Sequence, residues 1–162
     1  SGFDPIDNSQ VNIVYGIDTG PLVRPFNRAE YYIDNTAVPF HCAPNTGILV
    51  KAVVRHDGTG TTPDLLPLLD CVADMQVVYV LNGIPISDVS SFTADVIRTQ
   101  LSEIQVYVLA QQGQRDDTYH HPSTSILVGP DTVNGRNFDV SGYGNYRWKV
   151  YSIAVKPRNL AN

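Results

Sequence analysis

Long apolar runs, basic clusters and closely spaced cysteines are all missing from this sequence of 162 residues. No segment approaches the roughly eighteen consecutive apolar residues of a membrane-spanning helix. The first ten residues, SGFDPIDNSQ, lack the basic and apolar regions of a signal peptide, so we expect the chain as given to be soluble. The formal net charge is -5, from 16 acidic and 11 basic residues, with no Lys/Arg cluster that could follow a phosphate backbone. Nucleic acid is therefore not an expected partner.

The composition favours short strands joined by turns. Nine tyrosines stand beside 12 glycines and 11 prolines, and only 17% of the residues are charged. Aromatic residues favour strands, whereas Gly and Pro mark turns. A chain of this length can bury one core but not two, and no break in composition divides it. The sequence therefore predicts a single domain over residues 1–162.

Alternating apolar residues predict a sheet. Ile48, Val50, Ala52 and Val54, for example, would share one strand face because side chains alternate with a period of two. The predicted strands lie near residues 11–17, 48–54, 76–81, 103–110 and 145–155. We expect mostly antiparallel pairing, although the gap between the strands near 76 and 103 is long enough for a parallel crossover.

Two short helices are predicted between these strands. Apolar residues from Leu65 to Val72 recur at helical spacing, and the preceding TTPD offers an N-cap threonine with proline at the first helical position. This pattern predicts a helix over 65–75, and a second is predicted over 93–102. Each would run directly into a strand, which places Cys71 near a helix-to-strand junction. The predicted class is α+β.

The two cysteines, Cys42 and Cys71, are 29 positions apart. They form no CxxC motif, and no histidine stands at zinc-finger spacing from them. His41 is adjacent to Cys42, but a zinc site would need a fourth ligand that the sequence does not indicate. A disulfide, which implies an oxidising compartment, is the preferred interpretation. A metal site, a catalytic thiol and two buried free thiols are the alternatives.

No other motif points to catalysis or to a bound cofactor. The sequence has no Ser/His/Asp elbow and no HExxH motif, so an enzyme is not expected. His120 and His121 are consecutive and would point to opposite sides of an extended chain, so they would chelate one ion poorly. The segments QRDD and GPD offer oxygens for calcium without the EF-hand spacing.

Two pairs of side chains are candidates for contacts with a ligand or partner. Arg24 and Arg28 flank a turn in RPFNRAEYY, where anchoring of a loop is the simpler role. Tyr143 and Tyr146 in SGYGNYRW could stack on a sugar, because aromatic faces suit such ligands. The simpler interpretation is that Tyr146 and Trp148 fill the core face of the last strand.

Six segments of the chain form an ordered set, at residues 15–18, 23–33, 42–52, 65–81, 103–113 and 146–160. The two most specific pieces are Cys-Ala-Pro together with DCVADMQV, and the closing RWKVYSIAVKPRNL. In this order the segments resemble the globular head of PilW-type minor pilins of type IV pili, which are similar to the minor pseudopilins of type II secretion.

The resemblance implies a pilin-like head with a structural role. Such proteins help to initiate pilus assembly through contacts with other minor pilins and the major pilin. A hydrophobic N-terminal helix, missing here, would hold the protein in the inner membrane with a periplasmic head before it enters the pilus at the cell surface. The cysteine pair of the family maps onto Cys42 and Cys71. A type II secretion pseudopilin and an adhesive head at the pilus tip are the alternatives.

Overall fold

The computed structural model describes residues 29–53 and 63–157. Within these ranges the chain forms eight strands, one α-helix and a short 3₁₀ turn at Ser141–Tyr143. The strands and the helix are β1 (Ala29–Asp34), β2 (Gly47–Val53), β3 (Asp64–Leu81), β4 (Ile84–Ile86), α1 (Ala94–Gln100), β5 (Leu101–Gln112), β6 (Ser125–Val128), β7 (Arg136–Asp139) and β8 (Arg147–Val155).

Six of the strands form one sheet in the order β1-β2-β3-β5-β8, with β4 paired to β3 beside this path. β3 runs antiparallel to β4 and β5, and β5 runs antiparallel to β8. The sequence left open whether the strands near 76 and 103 are parallel or antiparallel. These strands belong to β3 and β5, which are antiparallel, so no parallel crossover joins them. The remaining strands, β6 and β7, form a separate antiparallel pair.

The chain divides into two compact units. The described residues of the first are 29–32, 50–53 and 63–68, and those of the second are 33–49 and 69–157. Val50 and Ala52 are buried in the first unit. The second contains a core cluster of Leu49, Val72, Val108 and Ala110. All the sites considered below lie within this second unit, and the single domain remains a prediction.

The predicted α+β class is wrong, because the residues that the structure describes are mainly β, with 52% in strands and 8% in helices. The predicted helix over 65–75 is instead part of β3, a strand of 18 residues. Pro67 gives a physical reason, because inside a helix its missing N–H and its ring would cost about 3 kcal/mol. Further along, β3 pairs with β5 from Val72 to Leu81. The β-branched valines of QVVYVL, residues 76–81 within this stretch, favour a strand.

The other predicted elements that fall on described residues are present. The helix over 93–102 corresponds to α1, which is capped by the Thr93 side chain and passes directly into β5. The strands near 48–54, 76–81, 103–110 and 145–155 correspond to β2, the end of β3, β5 and β8. The predicted strand at 11–17 lies outside the described residues.

Candidate functional site

A disulfide joins Cys42 to Cys71, with 5.0 Å between the two Cα atoms, and confirms the preferred pairing. Cys42 lies in the loop between β1 and β2, whereas Cys71 lies inside β3 and not at the end of a helix as predicted. The backbone at Cys71 has a φ of 55°, a left-handed conformation that is uncommon for residues other than glycine. An irregularity in the β3–β5 register follows at once, between Val72 and Asp74. Both irregular features of β3 therefore lie at or next to the residue that is bonded to the loop.

The loop that carries Cys42 is also held by Gln111 of β5. The Gln111 side-chain amide donates to the carbonyl oxygen of His41 (3.0 Å) and accepts from the N–H of Ala43 (2.6 Å). These bonds flank Cys42 on both sides. At the end of the loop, the Thr46 hydroxyl donates to the Ala43 carbonyl (2.7 Å). The loop is therefore fixed by hydrogen bonds as well as by the disulfide.

A buried carboxylate connects the β6–β7 pair to the large sheet. Asp74 of β3 is only 1% exposed, and it binds Arg136 at the start of β7. Arg136 Nε donates to one carboxylate oxygen (3.1 Å), and an Nη atom binds the other. Gln76 adds a third donor at 3.0 Å. A bidentate guanidinium is the geometry that best satisfies a buried carboxylate.

Four aromatic rings form a cluster, with Trp148, the single tryptophan of the chain, at its centre. Phe138, Tyr143 and Tyr146 lie with ring centroids 6.2–6.4 Å from that of Trp148. The Trp148 indole N–H donates to the Tyr143 carbonyl (3.2 Å), and the Tyr143 hydroxyl accepts from the Asn45 amide (2.6 Å). All four rings are half-buried. These contacts favour a packing role for Tyr143 and Tyr146, and a ligand contact there stays a prediction.

The connection from β5 to β6 is tied to the segment that leads into β8. The Asn145 side chain donates to the Tyr119 carbonyl (3.0 Å), and the His121 N–H donates to the Gly144 carbonyl (2.8 Å). Arg147 pairs with Asp116 (2.8 Å) and lies over the ring of Tyr119. Hydrogen bonds from Thr118, followed by that from Arg147, lower the pKa of Asp116 to about 2.

One face of three neighbouring strands is lined by apolar side chains. Directly paired residues in antiparallel strands point to the same side, so the register gives three rows across the sheet. The nine residues of this apolar face are Met75, Val108 and Tyr151, then Val77, Val106 and Ile153, and then Tyr79, Ile104 and Val155. Val108 is buried, but Ile153 and Val155 on β8 are 55% and 48% exposed. The face therefore becomes more exposed towards β8, the last strand in the sheet order.

The three pairs of predicted site residues have different outcomes in the structure. It brings Cys42 and Cys71 together and places Tyr143 and Tyr146 in one cluster, whereas Arg24 and Arg28 lie outside the described residues. Sequence reasoning missed Gln111, Asp74 and Arg136, because each acts on a residue more than sixty positions away. The hydrogen bonds of the aspartates in turns, by contrast, could have been predicted from a sequence pattern. The sequence Asp-x-Ser/Thr recurs in this chain, and in four copies the carboxylate accepts from the N–H two residues on.

Comparison with known proteins gave no relationship: no family model, no curated protein and no solved structure matches this chain. In the described part of the chain, the helices are too short and too polar to cross a membrane.

Proposed function

We propose that this protein is a structural minor pilin subunit that helps to initiate type IV pilus assembly through protein contacts. The sequence segments that resemble PilW-type heads suggest this class, and the apolar face is the observation that supports it best. The disulfide is in keeping with a periplasmic head and then a pilus at the cell surface, because both are oxidising environments.

The apolar face has the chemistry of a protein-binding surface. Soluble proteins rarely leave contiguous apolar patches exposed, and larger patches mark places where another protein packs. Tyr151, Ile153 and Val155 alternate along β8, so their side chains form one row instead of being scattered singly. Lys149 comes earlier on the same face of the strand, and its ammonium lies over the ring of Tyr151. The apolar row therefore has a charged border at one end, as interfaces with an apolar centre and a polar rim do.

A charge placed in the centre of this row tests the proposal. Ile153→Glu would put a carboxylate where a neighbouring pilin would exclude water, and an unpaired buried charge is strongly unfavourable. Ser152→Glu is the matched control, because Ser152 is an exposed neighbour on the same strand whose side chain points to the opposite face. Both variants are introduced into the source organism in place of the wild-type gene, and surface pili are counted by electron microscopy.

Loss of pili with Ile153→Glu but not with Ser152→Glu is the expected result. Thermal melts of the two purified heads, followed by Trp148 fluorescence, separate a lost interface from a lost fold. Normal pili together with defective protein secretion would indicate the pseudopilin alternative. If deletion of the whole gene changed neither pili nor secretion, the proposed function would be wrong.

The natural N-terminus offers a second, independent test. A minor pilin gene encodes a short leader that ends before Phe or Met and is followed by about twenty apolar residues, enough to span a membrane. An ordinary cleaved signal peptide in the gene would contradict the pilin class.

A further inference from the structure

A histidine, His41, lies beside the two cysteines of the disulfide, and its imidazole is a side chain of a type that can bind metals. The ligand atoms of His41, Cys42 and Cys71 all lie within 4.8 Å of one another. Cys71 is buried, and His41 and Cys42 are half-buried, so solvent reaches one side of the group. In the oxidised protein the two sulfur atoms are bonded to each other and cannot act as thiolates.

The arrangement of these three residues does not depend on the disulfide alone. Gln111 holds the backbone on both sides of Cys42 through His41 and Ala43, and these hydrogen bonds involve no sulfur atom. Cys71 is held independently, because the next residue, Val72, pairs with Ala110 of β5. Since β5 carries both Gln111 and Ala110, one strand holds both sides of the group. Reduction would separate the sulfur atoms without releasing the two backbone segments that carry them.

We propose that the reduced protein binds Zn²⁺ through His41, Cys42 and Cys71, with the fourth position left to water. Two thiolates and one imidazole are a ligand set that Zn²⁺ prefers, with Zn–S distances of about 2.3 Å and Zn–N distances of about 2.0 Å. Ligand atoms around a tetrahedral ion of this size lie roughly 3.5–3.8 Å apart. The three atoms already lie within 4.8 Å, so side-chain rotation brings them into place.

The chemistry balances with a dithiol as the reductant. The two thiols of the reductant supply two electrons and two protons, the Cys42–Cys71 bond breaks, and the reductant becomes a disulfide. Zn²⁺ then displaces the two thiol protons into solvent and binds both thiolates and the neutral imidazole. The metal and the disulfide exclude each other, so bound Zn²⁺ slows re-formation of the disulfide.

The test uses Co²⁺ as a spectroscopic substitute for Zn²⁺, added to the purified protein after reduction with a phosphine under anaerobic conditions. We expect one equivalent of Co²⁺ to bind, with a thiolate-to-cobalt charge-transfer band and the visible bands of a tetrahedral site. Oxidised protein should show neither. Competition with Zn²⁺ then gives the zinc affinity.

His41→Ala should weaken binding at least about 10-fold, whereas the matched variant His121→Ala should not change it, because His121 is engaged with Ser123 in another loop. Reduced His41→Ala that binds as tightly as reduced wild type would overturn the proposal, as would the absence of the charge-transfer band. Near-UV circular dichroism of the reduced, metal-free protein provides a second criterion. If its signal is lost, Gln111 does not hold the ligands in place, and the proposal is wrong in that case too.

Discussion

Replacing Cys42 and Cys71 together by alanine should lower the free energy of unfolding of this protein substantially. The bridge closes a loop with a sequence separation of 29 residues. In the chain-entropy model a loop of this length removes about 12 cal/mol/K from the unfolded state, which is about 3.6 kcal/mol at 25 °C.

The backbone conformation of Cys71 reduces the loss of stability that is expected when the disulfide is removed. A left-handed backbone costs a residue other than glycine roughly 1–2 kcal/mol, and the φ of 55° at Cys71 carries that cost in the native state. Where the backbone of the alanine variant relaxes, part of this cost is recovered. The net loss should therefore lie at about 2–3.6 kcal/mol, which corresponds to a fall in Tm of roughly 4–14 °C for a chain of this size.

Urea denaturation followed by tryptophan fluorescence measures this loss directly. Trp148 is the single tryptophan, and its ring contacts with Tyr143 and Tyr146 break when the second unit unfolds. Wild-type protein unfolded in the presence of a reductant serves as the control, and its midpoint should match that of the double variant. A loss below about 1 kcal/mol at an unchanged slope with urea would refute the reasoning. It would mean that the unfolded chain is already restricted between residues 42 and 71.

Two further predictions concern charged groups. Arg136→Leu should destabilise the protein by about 3 kcal/mol, because it leaves the Asp74 carboxylate buried without its cation. This value is the low end of the range for removing one partner of a buried ion pair, since the Arg136 side chain is 61% exposed. Arg98→Leu is the matched control in the exposed pair with Asp95 and should cost less than about 0.5 kcal/mol in the same urea assay, so equal losses would contradict the role of Asp74. The lowered pKa of Asp116 means that its contribution to stability is fully present above the ordinary value of 3.8 and is lost as the pH falls through about 2. In NMR spectra the chemical shift of the Thr118 amide should follow this titration in the wild type and should not change with it in Asp116→Asn. A midpoint near pH 3.8 in the wild type would show that the hydrogen bonds to Asp116 do not form in solution.

Local sequence was sufficient for the elements whose own residues decide their conformation. The alternation at 48–54 and 103–110 predicted β2 and β5, and the segment at 93–102 predicted α1. Period-two apolar patterns determine which face a strand buries, so they can be read without knowledge of the partner strand. The pairing of Cys42 with Cys71 followed in the same way, because the chain has two cysteines.

Only the tertiary structure decided the first half of β3, where helical spacing of leucines was overridden by Pro67 and by continuation into a strand paired with β5. The same holds for Gln111 at the Cys42 loop and for Arg136 at Asp74, which meet their partners across 68 and 62 positions of sequence. Hydrogen bonds of this kind depend on how strands are ordered in space. A single sequence carries periodicity and turn chemistry, but the order of strands is set by the combined burial of the whole sheet. The sequence by itself therefore determined β2, the end of β3, β5, β8, α1 and the disulfide. The fold decided which polar side chains hold the Cys42 loop and which apolar residues share an exposed face.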